Sequence, residues 1–271
     1  MTPTAAQRAV LSEQAQSTDT GAVAGLPSPG QVADMQQHGY LVVRQFLSRA
    51  QLQAVLEWTG ELERAPEVSG RHWVYHEDSL TRPGQRLIQR IENFCPFHAK
   101  FDGFVRSAAV LGWVGALMGG PVVLFKDKIN CKLPGGDGFK AHQDQQAGWS
   151  AYGPLFVTMM LTLDAATLEN GCLEIGSRRE AGLIGEEWQP LDAGGLELRP
   201  VPTAPGDAIF FDSYAPHASQ PNLTSSPRRV LYLTYNLLRD GDHRARYFAD
   251  KHASFPPDID RRGDRKYVYR V

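Results

Sequence analysis

From Pro121 onward the chain is a succession of short β-rich runs, PVVLFKDKINCKL, PLFVTMMLTLD, GLELRPVP, GDAIFFDSY and RRVLYLTYNLL, separated by clusters of Gly, Pro, Asn and Asp. Runs of this length, rich in Val, Ile, Thr, Phe and Tyr with turn residues between them, read as strands of an antiparallel sheet. The segments ahead of them read differently. GYLVVRQFL (39 to 47) alternates like a strand, and Ser48 then stands as N-cap before RAQLQAVLEWTGELERA, where Leu52, Val55, Leu56 and Leu62 recur at helical spacing. Residues 99 to 118, AKFDGFVRSAAVLGWVGALM, read as one further helix, stopped by Gly119, Gly120 and Pro121. Helical support ahead of many strands predicts a mainly β fold with flanking helices, a sandwich or barrel.

A chain of 271 residues is long enough to bury a sizeable core. We expect a single domain over residues 29–271, preceded by an arm, residues 1–28, whose Ala, Gln, Ser, Thr, Gly and Pro give little to pack. A formal net charge of -2 supplies no electrostatic reason to bind nucleic acid. Cys95, Cys131 and Cys172 are odd in number and lack CxxC spacing, which supports neither a disulfide framework nor a zinc knuckle and fits a reducing, cytoplasmic setting. No run of about 18 apolar residues is evident, and the N-terminus lacks the pattern of a signal peptide. The expected partner is a small molecule, with no membrane and no nucleic acid.

The densest chemistry lies in AHQDQQAGW (141 to 149), directly after KLPGGDGF. In an extended segment residues two apart point the same way, so His142 and Asp144 converge while Gln143 faces elsewhere. An imidazole and a carboxylate on one face form half of a metal site. His217, in DSYAPHASQPN after the strand GDAIFF, is placed to return beside them and supply the other half. Two histidines and one carboxylate form the facial triad of non-haem Fe(II) oxygenases, which leaves three positions open. Arg228 opens the strand that follows His217, and its planar fork suits a carboxylate; the plainer reading makes Arg228 and Arg229 a basic turn.

FKAHQDQQAGW, LTLDAATLENGCLEIGSRRE and GDAIFFDSYAPHASQPNLTSSPRRVLYLTY together resemble the phytanoyl-CoA dioxygenase family of Fe(II)- and 2-oxoglutarate-dependent oxygenases, and the likeness runs from GYLVVRQFLSRAQL to RRVLYLTYN, most of the chain. The resemblance implies a double-stranded β-helix, a cupin-like jelly roll. It implies that His142, Asp144 and His217 ligate Fe(II), that Arg228 holds the distal carboxylate of 2-oxoglutarate, and that Asn130 also contacts 2-oxoglutarate. It implies consumption of O2, with release of succinate and CO2, to hydroxylate a substrate C–H bond. Related halogenases have Ala or Gly where Asp144 stands, so Asp144 favours hydroxylation.

Substrate residues are read from what surrounds that centre. In LFKDKINCKLP, Lys126, Lys128, Asn130 and Lys132 share one face of a strand, while Phe125, Ile129, Cys131 and Leu133 lie on the other with Asp127 as the exception. Lys132 is a candidate for an anionic substrate group, and Trp149 either walls the cavity or fills the core. HWVYHEDSLTRPGQRLIQRIENFCPFH (72 to 98) has the polarity of a solvated loop. Its RIENF stretch, with NCKLPGG, resembles the branch of the family that hydroxylates 2-aminoethylphosphonate and N-methylated relatives. That resemblance makes Lys132, Arg90 and Asn130 candidates for the phosphonate, and Glu92 and Tyr75 for the ammonium. Acyl-CoA thioesters, compatible solutes and secondary metabolites are the alternative substrates. A cupin-like protein using another metal, or a silent jelly roll that only binds, are the alternative classes. In the C-terminal tail, Tyr247 and Phe248 are within reach of the cavity mouth.

Overall fold

The computed structural model describes residues 25–177, 182–192 and 195–267; the expected arm, residues 1–28, falls almost wholly outside that set. The first element is a helix that the strand and helix patterns did not reveal, α1 (Pro29–His38), although its signal is local and readable. Ser28 and Gln31 form a reciprocal capping box, with Pro29 in the first turn. β1 (Tyr40–Val43) is shorter than the alternating run that announced it, because the chain turns through Gln45 at φ 52. α2 (Arg49–Arg64) starts at Ser48 as expected, with Gln51 completing a second capping box.

Residues 72 to 98 are a correction to the expected solvated loop. They form the hairpin β2 (Trp73–Asp78) and β3 (Arg86–Glu92), which extends the main sheet. Their polarity misleads because Arg90 and Glu92 are buried as a pair. Residues 99 to 118 are likewise two helices, α3 (Ala99–Val105) and α4 (Ala108–Met118), restarted where the Ser107 side chain caps Val110. This segment is long and apolar enough by composition to cross a membrane, which corrects the reading that no such run is present; here Phe101, Val105, Val110, Trp113, Val114 and Leu117 bury it against the sheet.

β4 (Val122–Lys132), β5 (Phe139–His142), β6 (Phe156–Thr162), β7 (Leu173–Ile175), β8 (Arg199–Val201), β9 (Ala208–Asp212), β10 (His217–Ser219) and β11 (Arg228–Leu237) complete two sheets, followed by α5 (Arg244–Ser254). The larger sheet runs β1-β9-β6-β11-β4-β3-β2 and the smaller β5-β10-β7-β8, with every pairing antiparallel. This is the jelly-roll core with helices on one side.

Alternation explains why FVTMMLT and AIFFD read as continuous apolar runs. Met159, Leu161, Phe210, Leu231 and Leu233 face the helices, whereas Met160, Ile209, Phe211, Val230 and Tyr232 face Leu173 and Ile175 of the smaller sheet. Both faces of the larger sheet are covered. β4 departs once from simple alternation: Lys126 opposes Thr234 but Leu124 opposes Tyr235, which leaves Phe125 as the extra residue of a bulge. Phe125 therefore joins Trp149, Phe156 and Tyr247 on the cavity side instead of the face it was read to share with Ile129 and Cys131.

Candidate metal centre

β5 and β10 are neighbours in the smaller sheet, and their register sets His217 directly opposite His142. Asp144 follows at the first residue of the turn Asp144–Ala147, which ends at Gly148 in the left-handed region. The three candidate ligand atoms of His142, Asp144 and His217 all lie within 4.8 Å of one another. The two rings have centroids 4.3 Å apart.

The groups around each ligand set its protonation. His142 Nδ1–H donates to the Lys140 carbonyl at 2.7 Å, and His217 Nδ1–H to the Ala215 carbonyl at 3.0 Å. Carbonyls only accept, so the proton stays on Nδ1 and the lone pair on Nε2. Burial, then the neighbouring His217, pushes His142 down to about 3, and burial also lowers His217. Burial opposes the charge of Asp144, but His217, His142, Lys128 and Lys126 outweigh it and hold the carboxyl below its ordinary range. Two neutral imidazoles and one carboxylate are the donor set that a non-haem iron requires, and the residues fit that ion.

The three glutamines between these ligands are struts that the sequence reading did not assign. Gln143 donates to the Tyr214 carbonyl at 2.6 Å and accepts from the Ile184 backbone at 2.7 Å. Gln146 holds the Ile184, Glu186 and Gln189 carbonyls, and Gln145 the Gly153 carbonyl. Gln143 and Gln146 tie the ligand strand to the loop that carries Trp188.

Alternation separates the two arginines. Arg229 faces outward and is bound by Asp164 at 2.8 Å and Glu63 at 3.2 Å. Arg228 faces inward, is fully buried, and its Nε, Nη1 and Nη2 have no hydrogen-bond partner among the described residues. A buried guanidinium with three unused donor nitrogens is costly unless an anion completes it. Asn130 is also buried, and its Oδ1 has no partner among the described residues. A carboxylate-bearing cosubstrate would complete the Arg228 donors, whereas the Asn130 Oδ1, an acceptor, calls for a donor.

Lys126, Lys128, Asn130, Trp149 and Tyr232 line a cavity of about 30 Å3 with the three ligands. Lys126 and Ala147 also belong to an outer cavity of about 550 Å3, walled by Tyr152, Trp188, Tyr247 and Lys251. Lys126 and Lys128 were noted for their shared face but not singled out; the signal was in the alternation of β4. Burial, then Lys126, pushes Lys128 down to about 7. Lys132 is not in that lining, since its ammonium is held by Ser219 Oγ at 2.8 Å and by the Gln220 carbonyl.

Arg90, Glu92 and Tyr75 are brought together, but behind the cavity. Arg90 pairs with Glu92 at 2.9 Å and lies 4.2 Å from the Tyr75 ring, and Glu92 also pairs with Lys251 of α5. None of the three lines either cavity. Asp127, the odd residue of β4, accepts from the Phe94 and Cys95 backbone and pairs with Arg244. Tyr247 reaches the outer cavity, whereas Phe248 packs on Trp73 instead.

Residues 35–230 match the family model described as Phytanoyl-CoA dioxygenase (PhyH). The chain belongs to the phytanoyl-CoA dioxygenase family. Within that family, it is 38% identical over 242 residues to a 2-aminoethylphosphonate dioxygenase of Uncultured bacterium HF130_AEPn_1, covering 88% of this chain and 92% of that one. It is 42% identical over 239 residues to a methylphosphonate hydroxylase of Gimesia maris, covering 85% and 88%. Among solved structures, EctD from S. alaskensis with 2-oxoglutarate and 5-hydroxyectoine superposes with TM-score 0.66 at 21% identity, over 83% of this chain and 82% of that one. That likeness is one of fold.

Proposed function

We propose that this phytanoyl-CoA dioxygenase family member is an Fe(II)- and 2-oxoglutarate-dependent dioxygenase that hydroxylates a C–H bond of a small phosphonate, 2-aminoethylphosphonate or an N-methylated relative. The carrying observation is the pairing of the His142, Asp144 and His217 cluster with the buried, unpartnered guanidinium of Arg228. A metal site alone fits many proteins. A metal site with a waiting carboxylate partner fits an enzyme with a carboxylate cosubstrate.

His142, Asp144 and His217 would hold the iron, Arg228 the distal carboxylate of 2-oxoglutarate, and Asn130 a further cosubstrate contact. When bound, iron and 2-oxoglutarate supply the oxidising power that converts O2 and a C–H bond to an alcohol, with release of succinate and CO2. The chain's own residues supply order. The Nδ1 hydrogen bonds fix which nitrogens face the metal, and Trp149, Phe125 and Phe156 exclude water from one wall. No acid or base residue is needed for the C–H step.

The names of the two relatives share a phosphonate and differ in the amine. The large outer cavity leaves room for the substrate that carries the amine. The test is succinate formation with Fe(II), 2-oxoglutarate and O2 across 2-aminoethylphosphonate, its N-methylated forms, methylphosphonate, ectoine and acyl-CoA thioesters. Strong stimulation by an aminophosphonate, with a product heavier by one oxygen, is the expected result. Stimulation by a compound without phosphorus would discard the phosphonate and keep the dioxygenase.

A further inference from the structure

The inner face of β4 carries Lys126, Lys128, Asn130 and Lys132 in order, alternate residues being roughly 7 Å apart along a strand. The two ends of this row have different neighbours. Lys132 lies opposite Arg228 in β11, so that end belongs with the guanidinium assigned to 2-oxoglutarate. Lys126 lies opposite Thr234, at the far end, and borders both the metal cavity and the outer cavity. Its ammonium stands 5.5 Å from the Trp149 ring and 5.7 Å from the Tyr247 ring.

Trp149 adds an independent observation. It is 1% exposed, it lines the metal cavity, and its Nε1–H has no acceptor among the described residues. An indole N–H can only donate, and a buried donor left unused is an exception that calls for a partner. Lys128, one step along the row, makes no hydrogen bond or ion pair among the described residues and rests 4.6 Å from the Tyr232 ring. The one carboxylate in the lining of the metal cavity is Asp144, itself a residue of the proposed metal site. Lys126, Lys128 and Trp149 thus bring two cationic side chains and an unused indole N–H to the lining of one cavity.

We propose that Lys126 and the Trp149 Nε1–H seat the phosphonate of the substrate, with Lys128 as the second cation facing it. A phosphonate offers three acceptor oxygens and negative charge, which complements donors that cannot accept. The seat lies beside the metal ligands and away from Arg228, so the carbon attached to phosphorus is the one presented to the metal. The remainder of the substrate extends past Lys126 into the outer cavity. This assignment rests on the phosphonate reading above.

The test compares wild type with Lys126→Met, Lys126→Arg and Trp149→Phe. The expected result is a rise in KM for 2-aminoethylphosphonate of roughly 10- to 100-fold in Lys126→Met and roughly tenfold in Trp149→Phe, with KM for 2-oxoglutarate unchanged. Lys126→Arg recovers part of the loss. Calorimetric binding of 2-aminoethylphosphonate to the Fe(II)- and 2-oxoglutarate-loaded protein without oxygen shows the same rise in Kd. Wild-type turnover of phosphonates with unchanged substrate KM in both Lys126→Met and Trp149→Phe overturns the seat and leaves the phosphonate reading standing. Parallel rises in both KM values with a lowered Tm also overturn it, because they mark a structural role. A wild-type protein that neither binds nor turns over any phosphonate overturns both.

Discussion

His142 and His217 oppose one another across the β5–β10 pair, and each anchors its Nδ1–H on the carbonyl two residues before it. The two rings are thereby held 4.3 Å apart as candidate ligands, with Asp144 Oδ1 4.0 Å from His142 Nε2. His142→Ala or His217→Ala should each abolish stoichiometric iron binding, read by elemental analysis, while circular dichroism shows a folded protein. Unchanged iron content in both variants would reject the site. Asp144→Gly should lose hydroxylation without having to gain halogenation; full hydroxylase activity there would remove Asp144 from the ligand set.

Arg228 makes two demands with opposite signs. Arg228→Met should raise the 2-oxoglutarate requirement roughly 100-fold, because a bidentate charged contact is lost. The same change removes an uncompensated buried charge, so the cofactor-free protein should be stabilised by about 1 kcal/mol or more in denaturant titrations. A variant that is less stable, with unaltered 2-oxoglutarate KM, would make Arg228 a structural residue.

Much of this was legible in the sequence, for physical reasons that also explain the rest. β5 ends at His142 and only Gln143 continues extended, which is enough to bring His142 and Asp144 together before the turn, and His217 after a strong strand returns beside them, so the candidate centre could be read from spacing. The assignment of Arg228 over Arg229 came through the family resemblance, and alternation along β11 accounts for it in the structure. The hairpin β2–β3 was not legible, because Arg90 and Glu92 look solvated until Lys251, far along the chain, is seen to close the pair. Phe125 was misplaced by a bulge, which no alternation rule anticipates. Lys132 looked available because its acceptors, Ser219 and the Gln220 carbonyl, are supplied from β10 and the turn after it.

Lys132 also carries a pH signature. Burial, then the charge of Arg228, pushes it down to about 7, against an ordinary value of 10.5. Between those values the unfolded chain binds the extra proton, so stability rises with pH across that window and the penalty is full below it. Denaturant titrations of the cofactor-free protein should show wild type gaining stability from about pH 7 to about pH 9, with a smaller gain in Lys132→Met. Equal gains in the two proteins would mean that Lys132 stays charged throughout.

Glu92 distinguishes a strut from a substrate contact. It is buried with Arg90 and Lys251, which hold its carboxyl well below the ordinary range despite burial. Glu92→Gln leaves two cations without their counter-ion and should cost about 3 kcal/mol of stability, read by denaturation. The substrate KM should change no more than the 2-oxoglutarate KM. Normal stability with a selective rise in substrate KM would restore Glu92 as an ammonium ligand.

Gly148 is held at φ 72 and lies directly under the indole of Trp188, where an added Cβ would come within 2.2 Å of the ring. Trp188 is itself left-handed at φ 66, and its backbone N–H donates to the Gln146 carbonyl at 2.7 Å. Strain of this kind persists where the surroundings enforce it, here at the wall of the outer cavity. Gly148→Ala adds a left-handed penalty of about 1 kcal/mol and must displace the ring. Because Asp144 and Trp149 flank that turn, both substrate KM and iron retention should worsen. Trp188→Ala relieves the clash, so Gly148→Ala in that background should recover iron binding while substrate KM stays raised. If Gly148→Ala alone leaves both quantities at wild-type values, Trp188 does not rest on the turn in solution.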